Sequence, residues 1–165
     1  MNYFCRIKVL SIKRRFLMRL LMAFVLVAAF SGQVWAEKVD EAVQHFAAGS
    51  ALFKEGKFDS AIREFDEAVR LKPDFAMAYS LLGACYVSNG KYDLAIRQVE
   101  KAIRLEPEDA GFRYNLGVVY AKKGQYDEAI AQLEEAIKLE PDFPDAQNVL
   151  EQLYKLRGPN TQKGT

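Results

Sequence analysis

The chain has 165 residues, half of them hydrophobic, which is enough for one core of ordinary size and excludes global disorder. Its formal charge of +1 hides an asymmetry: the first 36 residues carry Arg6, Lys8, Lys13, Arg14, Arg15 and Arg19 and no acid, so the other 129 hold 17 basic and 22 acidic side chains, a balance of −5. An acidic domain of that kind argues against nonspecific nucleic-acid binding, which draws on a surplus of Lys and Arg.

The basic start runs into the uncharged stretch Leu20–Phe30 and then into "SGQVWA", which ends in small Ala36 with Val34 two residues before it. Basic start, apolar run and small-residue exit form the layout of a secretory signal peptide over residues 1–36, cut between Ala36 and Glu37. The apolar run falls short of the about 20 residues that a spanning helix needs. An uncleaved signal-anchor is the alternative, and membrane contact would then come only through that leader. Two starts are open, because "MRLLMAFVLVAAFSGQVWA" from Met18 is a compact leader by itself. Cys5 precedes the apolar run and is badly placed for lipid attachment at a new N-terminus. Export implies a bacterial periplasm or secretion. Beyond the cut only Cys85 remains, so the fold rests on its core without an intrachain disulfide.

From residue 42 the chain repeats itself. "GKFDSAIREFDEAVRLKPDF" from Gly56 returns as "GKYDLAIRQVEKAIRLEPED" from Gly90 and "GQYDEAIAQLEEAIKLEPDF" from Gly124, each 34 residues on, with no insertion. A fixed period of this size indicates stacked supersecondary units, none of which buries its apolar face alone. In the quoted half, Ala61, Ile62, Phe65, Ala68 and Val69 fall on one helical face. Asp59 is placed to cap that helix, Pro73 to close it and Gly56 to turn into it. The half before each glycine is helical too. Tyr79, Leu82, Gly83 and Tyr86 share a face, as do Arg113, Leu116, Gly117 and Tyr120, and His45, Ala48, Gly49 and Leu52. A mid-helix glycine costs about 1 kcal/mol against alanine. Its return in each copy, like that of small Ala61, Ala95 and Ala129, predicts close helix approach.

These residues resemble the tetratricopeptide repeat (TPR) family. The second copy matches its pattern through Tyr79, Leu82, Gly83, Tyr86, Ala95, Val99, Ala102 and Pro107, and the third through Leu116, Gly117, Tyr120, Ala129, Leu133, Ala136 and Pro141. The first copy matches at Gly49, Ala61, Phe65, Ala68 and Pro73 and departs at His45, Ala48 and Leu52. The resemblance implies an all-α fold, a TPR-like right-handed superhelical stack of helix-turn-helix repeats. The TPR domain would cover 37–157, with repeats at about 42–75, 76–109 and 110–143. Residues 144–157 read as a capping helix: Pro144 suits a first helical position, and Val149, Leu150, Leu153 and Tyr154 make an apolar stripe. Residues 158–165, "GPNTQKGT", read as a disordered tail.

Chemistry is hard to find in the mature chain. Its one histidine, His45, and its one cysteine, Cys85, read as packed residues, and together they are too few for a zinc site of the usual N/S kind. No phosphate-binding glycine loop or serine elbow is visible. The chain therefore reads as a non-enzyme with no cofactor and no metal. What remains is a surface. By the resemblance, the first helix of each unit lines a concave groove, here through Phe46, Ser50 and Phe53, then Met77, Leu81, Ala84 and Val87, then Tyr114, Asn115, Val118 and Ala121. The competing reading is that this stripe packs into the core. Some TPR proteins grip a C-terminal carboxylate with Lys, Asn and Arg. This chain has Phe46, Ser50, Leu81 and Gly111 at those places and agrees only at Asn115, so a partner with apolar anchors fits better. The leading expectation is an exported protein–protein interaction adaptor holding a partner peptide or helix. The alternative is a structural scaffold that self-associates into a homo-oligomer.

Overall fold

A computed structural model of the protein describes residues 37–157. The leader reading and the tail reading lie outside the described residues. The chain divides into two units after Asp40, and the repeats all lie in the second. Helix α1 occupies 37–54 of the described range. After it come α2 (Phe58–Leu71), α3 (Ala76–Ser88), α4 (Tyr92–Leu105), α5 (Ala110–Lys123), α6 (Tyr126–Leu139) and α7 (Pro144–Arg157). The protein is an all-α helical repeat stack; among the described residues it has three helix pairs, α1–α2, α3–α4 and α5–α6, with α7 in addition.

The turns inside the pairs are made by Gly56, Gly90 and Gly124, whose φ angles of 74°, 71° and 84° are left-handed, a conformation glycine adopts without a Cβ penalty. The mid-helix glycines serve a different end. A Cβ on Gly83 would lie 2.6 Å from Val99 Cγ2, one on Gly117 would lie 2.9 Å from Leu133 Cγ, and one on Gly49 would lie 2.9 Å from the Phe65 ring. The partner helices approach so closely that any side chain there collides. Ala61, Ala95 and Ala129, on the facing helices, are fully buried for the same reason.

The core is a row of small clusters, one between each pair and the next. Ala61, Phe65, Leu82 and Cys85 form one, Ala95, Val99, Leu116 and Val119 the next, and Ala129, Ile130, Leu133, Ala136, Ala146 and Leu153 the last. Helix α7 closes the row by burying Ala146 and Leu153. Its Tyr154 stays exposed, with its hydroxyl on Glu134. In the first copy Ala48 is exposed, where the sequence pattern places it on the inner face.

Asp59 does not cap α2. The helix begins at Phe58, Lys57 stands at the cap position and no side chain caps it, so Asp59 falls in the first turn. There its charge still faces the positive end of the helix dipole. Its oxygen accepts from Asn89 Nδ2 at 2.9 Å, in the next repeat. The same tie recurs 34 residues on, with Lys123 Nζ on Asp93 at 2.7 Å, and again with Arg157 Nη1 on Asp127 at 3.0 Å. Each repeat is thus fastened at one edge to the helix end of the repeat after it.

Helices α3 and α5 touch each other, and so do α5 and α7, whereas among α2 to α7 no contact joins α2 to α4 or α4 to α6. Helices α3, α5 and α7 therefore form the tighter layer, with α3 and α5 side by side in it.

Candidate functional site

The site arises where the repetition fails. Positions 46, 80 and 114 are equivalent, on α1, α3 and α5. Phe46 packs its ring 4.7 Å from Phe75, and Tyr114 packs its ring 5.1 Å from Phe143. In the middle copy the corresponding pair is Ser80 and Asp109. Asp109 takes up the work of capping α5, accepting from the Phe112 N–H at 3.0 Å. Ser80 is buried and too small to fill the space that an aromatic ring fills in the copies on either side.

A concavity of about 220 Å³ opens there. Its walls are Phe53 of α1, Ser80, Ala84, Val87 and Ser88 of α3, Val99 of α4, and Asn115, Val118, Val119 and Lys122 of α5. Val99 and Val119 are almost fully buried and form its floor. Asn115 Nδ2 donates to Ser80 Oγ at 3.0 Å, across the junction of α3 and α5. That bond uses one of the amide's two N–H groups and leaves its carbonyl oxygen and second N–H for another partner. Lys122 is exposed at the mouth, and none of the ion pairs among the described residues includes it. Its neighbour Lys123 is held by Asp93.

Of the eleven groove residues named from the sequence, the structure brings Phe53, Ala84, Val87, Asn115 and Val118 around this one concavity. It places the other six elsewhere, Ala121 against the last core cluster. Phe46 and Tyr114 are engaged in their ring pairs. Ser50 Oγ donates to the Phe46 carbonyl at 2.8 Å, as a helical serine commonly does four residues back. Leu81 packs on the cluster around Phe65 and Leu82. Met77 is 47% exposed. Sequence reasoning missed Ser80, Ser88, Val99, Val119 and Lys122. The signal for Ser80 was present: it is the one small residue in a row that reads Phe, Ser, Tyr at a 34-residue interval.

The remaining reactive groups are engaged in the packing. His45 Nδ1 lies 2.7 Å from Glu64 Oε2, half-buried between α1 and α2. Cys85 is fully buried, and loss of hydration pushes its thiol up to about 11. Among the described residues no group of three His, Cys, Asp or Glu side chains could hold a metal, and no helix is long and apolar enough to cross a membrane.

A tetratricopeptide repeat model matches residues 87–153, and a second TPR repeat model matches residues 49–90, so models of one family account for most of the described chain. The chain belongs to the tetratricopeptide repeat family. No curated protein matches it significantly. Among solved structures, this TPR protein is similar to the first TPR of Spaghetti (RPAP3) bound to an HSP90 peptide, at 21% identity and a TM-score of 0.69, over 72% of this chain and 94% of that one. It is similar to the Arabidopsis OM64 TPR domain, at 21% identity and a TM-score of 0.68, over 72% of this chain and 98% of that one. It is also similar to the Yersinia enterocolitica type III secretion chaperone SycD in complex with a peptide of the translocator YopD, at 24% identity and a TM-score of 0.65, over 72% and 95%. At these identities the likeness is one of fold.

Proposed function

We propose that this TPR protein is an exported interaction adaptor, and that it holds a peptide segment of a partner protein by an apolar side chain seated between α3 and α5. The observation that carries the reading is the concavity at Ser80: mostly apolar walls around a half-used amide. Pockets that bind are of this kind, mostly apolar with a few placed polar groups. Two of the similar structures hold peptides, which supports the same kind of occupant here. The basic and apolar leader supports export, so the partner would be met in the periplasm or outside the cell.

The test is a pair of charges placed in the walls. Ala84→Asp with Val118→Asp puts carboxylates where the partner's apolar side chain would sit, at positions that are only half-buried in the free protein. The tagged double variant should lose the partner that the tagged wild type retains, while its circular-dichroism melt moves by a few degrees at most. Full retention of that partner by a folded double variant contradicts the proposal.

A further inference from the structure

Building on the adaptor reading, we infer that the occupant of the concavity is a segment in which an acidic side chain stands about two residues from the apolar anchor and pairs with Lys122. Lys122 is the one charged residue among the walls, and the wall set contains no carboxylate. No ion pair among the described residues takes it up, although Lys123 beside it is claimed by Asp93 at 2.7 Å. A segment bearing a negative charge is therefore complementary to the mouth, and one bearing Lys or Arg there is repelled.

The spacing follows from helix geometry. Val118 and Lys122 are four residues apart on α5, a rise of about 6 Å. An extended segment lying along α5 advances about 3.3 Å per residue, so two residues cover that distance and return to the same side of the backbone. The motif is an apolar residue, any residue, then Asp or Glu, in either chain direction. The acid is a side chain and not a chain terminus. Grip on a terminal carboxylate draws on several converging donors, and this mouth offers one ammonium, a compact point charge on a flexible stem. A segment can continue past it.

The test uses the full chain and fluorescent eleven-residue peptide pools, read by anisotropy. One pool carries a central Leu, Ile or Phe with Glu two residues away. A second replaces Glu by Gln. A third keeps Gln and ends in a free carboxylate two residues after the anchor, and a fourth carries Lys in place of Glu. The Glu pool should bind about two- to fivefold more tightly than the Gln pool, an advantage that shrinks with salt and disappears in Lys122→Gln. Lys122→Glu should prefer the Lys pool, a reversal that loss of folding cannot mimic. Equal binding of the Glu and Gln pools overturns the acidic motif and leaves the adaptor reading standing. Preference for the third pool overturns it in favour of a terminus reader. Binding of no pool overturns both the motif and the adaptor reading.

Discussion

Replacing Gly83 by alanine sets two effects of known sign against each other. Mid-helix, the substitution should stabilise α3 by about 1 kcal/mol through propensity alone. The added methyl, however, falls 2.6 Å from Val99 Cγ2 and 3.3 Å from the Ala95 carbonyl oxygen. Val99 is 1% exposed and can turn away only toward the concavity whose floor it forms, and the Ala95 oxygen belongs to the backbone of α4. Overpacking of this kind costs about 1–3 kcal/mol, so the net change is a loss of about 0–2 kcal/mol. For a domain of this size each kcal/mol lowers Tm by about 3–5 °C. The decisive assay is a double-mutant cycle with Val99→Ala, followed by urea and thermal unfolding. Val99→Ala alone should cost about 2 kcal/mol, and the pair should cost less than the sum of the singles by about 1 kcal/mol, because the clash is gone. The reasoning is refuted if Gly83→Ala raises Tm by its full propensity and the two changes simply add. In that case α3 and α4 do not meet at Gly83.

Removal of residues 144–165 should uncover Ala129, Ile130 and Leu133, and the truncated chain should bind a hydrophobic dye and aggregate at a lower temperature; an unchanged melt would show that α7 is no cap. The Cys85 thiol, pushed up to about 11 by burial, should resist alkylation near pH 8 in the folded protein and react at once in urea; rapid reaction without denaturant would contradict its placement in the core. N-terminal sequencing of the protein recovered from its host should begin at Glu37, and a membrane-bound product retaining Leu20–Phe30 would refute cleavage.

The stack was legible because its determinants are periodic and local. Gly56, Gly90 and Gly124, the three mid-helix glycines and the prolines at Pro73, Pro107 and Pro141 each mark a backbone event that recurs at 34 residues. Asp59 was misread because an aspartate near a helix start suggests a cap, whereas its side-chain partner Asn89 lies 30 residues later in the next repeat, as do the partners of Asp93 and Asp127. The same limit applied to the site. Averaging over copies identified the stripe on the first helix of each pair but hid Ser80, whose importance lies in differing from Phe46 and Tyr114. Val99 came to the floor from α4, a helix whose role in the pattern is core packing, and no reading confined to the first helices could include it.

The adaptor account is tested most directly by a photo-reactive amino acid introduced in living cells at Val118, inside the concavity, and separately at Glu135, exposed on α6 away from it. Irradiation should yield one discrete adduct from position 118, none from 135, and none from 118 once Ala84→Asp is added to a chain that still folds. Equal adducts from both positions, or an adduct that survives Ala84→Asp undiminished, would contradict the claim that the partner is held between α3 and α5.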